Sequence, residues 1–559
     1  MFSLSDLKAI TSSTYDKTLG NLVYQSMVSW FAKLEKNPGT GNWLLGHAIP
    51  VIFNPSPNSA SIDFHKTLGH TIKYRTQFGS YEVSTIDPTA ISYILNHHHI
   101  FVKPPSQRQY LESRMGHGLI TAMGDDHKHQ RRLLGPSFSA ATIKEMAPVF
   151  YDVAYQLCDK FRHLVADKDN TGLSSSPPKP IDAVSGGAKI EVLKYINMAT
   201  FDVMGRAGFG HAFEALSEKP NRLTDCMHRY IAAIFEVRLS DWLAGRYHIQ
   251  IPSEHNRTIN REKQEILDFA KRIAGERKNV ILKQSLGEGI NKKQDIGKDL
   301  LSILIKANMA SDLEPHERLS DEVLADQILT FARSETVATS LSIFLSLLSE
   351  HPDVHDRLRT ELVSVDDDRP TVEVLDNLPY LDAFVREALR FFPAAPWIFR
   401  SATGDATVPL GTPIKGKDGK LMTSFNIDER SFIFFPLRAI NTSTTFWGPD
   451  AETFDPSRFL DGRTENLAKL PGVYGNMMTF LAGPRNCIGY RFAVLQMKVM
   501  LFALLRGLEF RELKSKPETV YRPSVVVRAH VKGEEHLGAQ VPLMVIPLDD
   551  SGHVSKDRC

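Results

Sequence analysis

The sequence predicts a mainly α-helical protein with a small β region, folded as one large unit. Long amphipathic segments dominate between residues 140 and 350, and short strand-like runs occur at Thr71–Phe78, Tyr81–Ile86 and Lys420–Phe435. No internal repeat interrupts this pattern, and helices packed with a few short strands around one core form a stable layered arrangement.

In chain order, residues 1–40 read as a leader. Leu19, Leu22, Val23, Met27, Trp30 and Phe31 recur there at roughly helical spacing beside Asp16, Lys17 and Lys33. Such a stripe either packs on its own protein or lies on a membrane surface as a peripheral contact. The turn-rich Asn37-Pro38-Gly39-Thr40-Gly41 hinge leads into a main body at residues 41–545, and residues 546–559 form a polar tail. Within the body, Thr171–Pro180 reads as an exposed loop and Leu286–Lys298 as a further polar segment. Ser320-Asp321-Glu322 is a helix start and His351-Pro352 a stop, which predicts one helix of about 30 residues and roughly 45 Å. A second helix, Leu381–Arg390, is stopped by Pro393.

The chain of 559 residues is 42% hydrophobic and 23% charged, ordinary for a globular enzyme with a large core. Lys and Arg (66) nearly balance Asp and Glu (65), so no global field favours nucleic acid. Cys158, Cys226, Cys487 and Cys559 show no C-x-x-C spacing, which points away from a zinc cluster and toward a reducing, intracellular compartment. No apolar run of about 18 residues appears, so a transmembrane segment is not expected.

The most informative segment is Phe480-Leu481-Ala482-Gly483-Pro484-Arg485-Asn486-Cys487-Ile488-Gly489, followed by a long apolar helix. A thiolate placed there can be stabilised by the helix N-terminus, by the arginine two positions upstream and by loop amides, and so serve as a metal ligand. Phe-x-x-Gly-x-Arg-x-Cys-x-Gly resembles the haem-binding signature of the cytochrome P-450 family, most closely its filamentous-fungal members. The resemblance covers residues 40–545. It implies haem b with Cys487 as axial thiolate ligand to iron, Arg485 on a haem propionate, Phe480 near the sulfur, and Gly483 and Gly489 allowing a tight turn and close approach to the ring.

Two more elements extend the resemblance. Glu387 and Arg390, three apart on a helix, together with Arg458 in Phe454-Asp455-Pro456-Ser457-Arg458-Phe459, match a buried network that supports the cysteine loop. Arg400 matches a propionate-binding arginine on the strand after that helix. In His127-Lys128-His129-Gln130-Arg131-Arg132, Arg131 matches the arginine of a Trp-x-x-x-Arg pattern, with His127 in place of tryptophan as a hydrogen-bond donor.

Ala332-Arg333-Ser334-Glu335-Thr336 resembles the family's distal motif, in which Glu335 and Thr336 would organise proton delivery to dioxygen. Arg333 stands where the family has glycine, and the segment from Gln327 to Glu335 is about two residues shorter than the pattern.

The resemblance implies a monooxygenase that inserts one oxygen atom into a lipophilic small molecule, by hydroxylation or epoxidation, in secondary metabolism. No nucleotide-binding Gly-x-Gly-x-x-Gly is evident, so NADPH-derived electrons would come from a separate NADPH-cytochrome P-450 reductase, docking at Lys128, Arg132, Arg491 and Lys498. Phe391, Pro396, Trp397, Ile398 and residues 213–251 would wall the substrate pocket. Microsomal relatives work at the endoplasmic reticulum membrane, and the same location is implied here. Two alternatives keep the haem: a reductase-independent isomerase or dehydratase, and a catalytically silent relative. If Arg333 points away from the reacting centre, purified Arg333→Gly will oxidise substrate no better than wild type; oxidation by the variant alone would show the wild-type site to be impaired.

Overall fold

The computed structural model describes residues 46–47, 51, 58–76, 80–167, 180–182, 184–219, 221–235, 253–285, 297–310, 313–331, 335–416, 419–429, 431–465, 470–522 and 526–548. The leader and its hinge, most of the Thr171–Pro180 loop, most of the Leu286–Lys298 segment and Arg333 lie outside them.

The helices that position the site are α1 (Pro88–Asn96), α2 (Pro105–Met115), α3 (Gly124–Leu134), α4 (Ala147–Ala166), α5 (Val192–Val203), α6 (Arg222–Phe235), α7 (Glu254–Ser285), α8 (Asp321–Phe331), α9 (Glu335–Glu350), α10 (Pro379–Phe391) and α11 (Tyr490–Gly507). Helix α11 carries the run of apolar residues that follows the cysteine loop. Every residue from Phe492 to Leu505 is buried, and a helix apolar all round belongs at the centre of a domain. Helix α4 packs along it, with Phe150 edge-on to Phe492 at 4.9 Å and Tyr151 edge-on to Phe502 at 6.2 Å between ring centroids. Fully burying each such ring contributes on the order of 1.5–3 kcal/mol.

Helix α10 begins with Pro379 at its first position, and the amides of Tyr380 and Leu381 donate to the Glu361 carboxylate at 2.8 Å each. Those bonds satisfy two donors that a helix start leaves open. The helix ends two residues before Pro393, as expected. The single long helix expected from Ser320 to His351 is described as two, α8 and α9, with residues 332–334 between them outside the described set.

The strands are β1 (Thr71–Arg75), β2 (Tyr81–Thr85), β3 (Phe101–Val102), β4 (Ala188–Glu191), β5 (Trp397–Ala402), β6 (Ala406–Lys415), β7 (Leu421–Ile427), β8 (Phe432–Pro436), β9 (Leu508–Arg511), β10 (Thr519–Arg522), β11 (Arg528–Val531) and β12 (Pro542–Pro547). They form one five-stranded sheet in the order β1-β2-β8-β5-β3, a three-stranded sheet β4-β12-β9, and the hairpins β6-β7 and β10-β11. The run expected at Lys420–Phe435 is therefore two strands in different sheets. The chain turns between them, where Ser431 N donates to Asp428 O and Glu429 N to Asp405 Oδ1.

The five-stranded sheet joins distant parts of the sequence. β3 pairs antiparallel with β5, Phe101 opposite Ala402 and Val102 opposite Ser401. Lys103 follows β3 directly and feels the charge of Arg400 on β5.

Candidate functional site

The cysteine loop is shaped by its own backbone. Cys487 N donates to Phe480 O at 2.9 Å and Asn486 N to Gly483 O at 3.1 Å, closing the loop at its base and tip. Gly483 has φ +67°, and a Cβ there would meet Leu95 O in α1 at 2.9 Å, so a side chain is excluded twice over. Gly489 does not adopt a left-handed turn: its φ is −90°, and of the protein atoms a Cβ would make only ordinary contact with Phe138. Its contribution is its amide, which is directed at the Cys487 sulfur. Phe480 is buried with its ring 5.9 Å from Tyr474 and 6.0 Å from Tyr490.

Cys487 is reached by solvent through a recess of about 300 Å³, lined by Arg131, Gly135, Phe138, Val473, Tyr490 and Arg491 and its loop neighbours. Dense surrounding protein nonetheless pushes its thiol pKa up, opposed by the Gly489 amide and by the charge of Arg131. The stabilising cation is thus Arg131 and not Arg485, the upstream neighbour expected from the sequence. A thiol in this position becomes a thiolate when a metal replaces its proton.

The supporting network is as the sequence predicted. Glu387, Arg390 and Arg458 have side-chain exposures of 0%. Arg390 grips Glu387 with both arms, Nε to Oε2 and Nη2 to Oε1, at 2.7 Å each. Its remaining donors reach the carbonyls of Asn441 (2.8 Å), Ala451 (2.7 Å) and Thr453 (3.2 Å). Arg458 reaches Glu387 at 3.5 Å, Asp450 Oδ1 at 2.9 Å and the Trp447 carbonyl at 3.0 Å. Asn441, which the sequence reading did not single out, carries the network to the loop: its Oδ1 accepts from Met478 N and its Nδ2 donates to Thr479 Oγ1, both at 2.8 Å. Thr479 directly precedes Phe480.

Beside the loop cations gather, and among the described residues Lys103, Arg131, Arg400 and Arg485 form no ion pair with an acidic side chain, whereas Arg108 at their edge is paired with Glu112 at 2.7 Å. Arg485 Nη1 donates to Ala122 O at 2.6 Å, Arg400 Nη1 to Phe399 O at 2.8 Å, and Arg131 Nη1 to Asn486 O at 2.8 Å. Burial and the charge of Arg485 lower the Arg400 pKa to about 10; burial, Arg131 and Arg108 lower that of Arg485 to about 10. Burial drops Lys103 well below the usual lysine range, with Arg400, Arg485 and Arg108 adding to it. His127 is buried, and burial with the charges of Arg485, Lys103, Arg131 and His98 brings it to about 3, so it is a neutral donor. Lys103 was missed by the sequence reading because only the pairing of β3 with β5 brings it near Arg400.

This donor set fits haem. Four cations and a neutral imidazole converge beside the cysteine, and every charge acting on Lys103, Arg400 and Arg485 is itself positive. Two carboxylates are the complement such a cluster requires.

On the distal side, Glu335 opens α9 and is buried, whereas Thr336 is exposed. Consecutive helical residues diverge by about 100°, so the two do not share a face. Glu335 acts electrostatically on Arg528 of β11, countering the lowering of that guanidinium's pKa by burial. Other expectations need correction. Lys498 is buried between Asp376 and Asp382, each at 2.9 Å, and cannot meet a partner surface. Phe213 stacks on Phe201 at 4.2 Å and is a core residue, whereas Phe391 is half-buried and packs on Phe454 at 5.8 Å and against Arg438. Lys128, Arg132 and Arg491 are exposed, Arg132 paired with Glu317 at 3.2 Å.

Comparison with known proteins agrees with this geometry. The family model described as cytochrome P-450 matches residues 37–534. Cytochrome P-450 monooxygenase 205 of Postia placenta is 34% identical over 91% of this chain and 92% of its own length. Cytochrome P-450 monooxygenase claW of Ampulloclitocybe clavipes is 33% identical over 91% and 92%, and ganoderic acid synthetase CYP5150L8 of Ganoderma lucidum 32% over 81% and 83%.

Two outcomes follow from the charges. Arg390→Lys keeps the charge but loses the planar fork, and should destabilise the fold by ~3–5 kcal/mol in urea unfolding, as breaking a buried pair does. Lys103→Met should relieve repulsion in the haem-free protein yet speed haem loss to apomyoglobin by about tenfold, the equivalent of one charged hydrogen bond.

Proposed function

Because the chain belongs to the cytochrome P-450 family and is similar along nearly its whole length to fungal monooxygenases, we propose that it is a haem-thiolate monooxygenase with Cys487 as axial ligand. The observation that carries the assignment is the uncompensated cation cluster set beside a cysteine whose sulfur receives the Gly489 amide. Bound there, haem supplies the activation of dioxygen, one atom of which enters a C–H or C=C bond of the substrate while the other leaves as water.

The chain's own residues supply the rest. The Gly489 amide and Arg131 hold negative charge on the sulfur and tune its donor strength. Arg131, Arg400, Arg485 and Lys103 bind the two propionates, and neutral His127 donates a hydrogen bond without adding charge. Glu335, buried at the start of α9, and Thr336, the next residue, supply a carboxylate and a hydroxyl for relaying protons on the distal side.

Electrons originate from NADPH and arrive through a separate reductase. Its landing face is the one that carries exposed Lys128, Arg132 and Arg491, the last lining the recess that opens on Cys487. The substrate is a lipophilic compound of fungal secondary metabolism, and the enzyme works inside the cell, at the endoplasmic reticulum surface. Among the described residues no helix is long and apolar enough to cross a membrane.

The reduced protein should give a carbon monoxide difference band at the red-shifted position of a thiolate-ligated haem, and should consume NADPH with reductase and substrate. Cys487→Ala should lose both. A variant that kept its band and its turnover would overturn the assignment.

A further inference from the structure

We propose that Gln130 and Gln327 form a buried amide latch that sets the spacing between α3 and α8, and with it the size of ligand admitted to the distal side of the haem. The proposal rests on the haem-thiolate reading and adds a specificity-determining pair to it.

Gln327 is fully buried and Gln130 nearly so. Gln327 Nε2 donates to Gln130 Oε1 at 2.7 Å, and Gln327 Oε1 accepts from Leu119 N at 3.1 Å. Gln130 Nε2 donates in turn to His117 O at 3.2 Å, while His117 N donates to Asp326 Oδ2 at 2.7 Å. The segment from Gly116 to Ala122 is thereby bound to both helices. It also lies flat on α8: a Cβ at Gly118 would meet Thr330 Oγ1 at 2.5 Å, and one at Gly116 would meet Asp326 Oδ1 at 2.0 Å. Its far end is held by Arg485 of the cysteine loop through the Ala122 carbonyl, at 2.6 Å.

The positions of the two glutamines give the latch its consequence. On α3, Gln130 sits between His127 and Arg131, on the face that supplies propionate donors. Gln327 lies eight residues before Glu335, on the helix that leads into the distal side. A shift of α8 relative to α3 therefore changes the depth between the propionate donors and the Glu335 carboxylate. Apolar side chains would tolerate such a sliding movement. Paired amides do not, because a buried donor or acceptor that loses its partner costs more than the bond itself gains.

The test is titration of the full-length, haem-loaded protein with imidazole and with 4-phenylimidazole, followed by the absorbance shift on nitrogen binding. Both ligands bind through the same ring nitrogen, so the change in their affinity ratio from wild type to variant reads the space available to the added phenyl group. Gln327→Met keeps the volume of the side chain and removes the latch. It should tighten 4-phenylimidazole relative to imidazole by at least about fivefold, as expected for the loss of one or two hydrogen bonds, with the carbon monoxide band unmoved. An unchanged ratio of the two affinities overturns the latch. Should the variant not fold, hydrogen exchange of the wild-type chain decides: amides of His117 and Leu119 as protected as those inside α8 support it, and exchange at loop rates overturns it. Absence of the thiolate band in wild-type protein would instead sink the haem-thiolate reading, while the exchange result would still decide the latch.

Discussion

The two-armed bond between Arg390 and Glu387 is the interaction on which the site rests. Both groups are wholly buried, and a buried ion pair contributes little to stability unless its remaining hydrogen-bonding capacity is filled. Here it is filled by backbone carbonyls at the end of the short helix Leu437–Asn441 and in the turns after the helix Thr444–Trp447, at Asn441, Ala451 and Thr453. The guanidinium takes up carbonyls that helix ends and turns leave without a partner. Asn441 then passes the constraint to Met478 and Thr479, immediately before the cysteine loop. A loop held by little more than the 3₁₀ turn at Gly483–Arg485 thus inherits the rigidity of helix α10.

The protein treats its two sets of buried cations in opposite ways. Arg390 and Arg458 are neutralised within the chain by Glu387 and Asp450, and Asp450 is held ionised chiefly by its hydrogen bond to Arg458. Lys103, Arg400 and Arg485 repel one another and are shifted toward the neutral state. Such an arrangement costs stability in the absence of a ligand, and natural sequences tolerate it where a ligand supplies the missing charge. The closed network holds the shape of the site, and the open one makes it receptive to a dianion.

Local motifs made much of the site legible in the sequence. The cysteine loop, the Glu387–Arg390 spacing and Arg458 each belong to a short segment whose residues act together, and the structure brings them together as read. The helical character and the small β region were legible for the same reason, through periodicity within a segment. What escaped was set by pairing between segments. Lys103 is an unremarked lysine until the pairing of β3 with β5 brings it near Arg400, and Asn441 has no signal of its own. Gln130 and Gln327 meet across nearly two hundred positions. Lys498 was misread for a related reason: it carries the expected chemistry, but the helix face that holds it is turned inward, onto Asp376 and Asp382. Thr336 adjoins Glu335 in sequence, yet the helical rotation between them separates their environments.

The same reasoning explains why the replacement of tryptophan by His127 is compatible with the site. An imidazole is a cation only where its surroundings permit, and here burial and four neighbouring positive or protonatable groups bring its pKa to about 3. At neutral pH it therefore adds no further repulsion to a cluster already rich in charge. A ring N–H is all that the indole of the family pattern supplies, and the neutral imidazole supplies it from the same helical position, one turn before Arg131. The substitution keeps a ring N–H at this position without adding a charge.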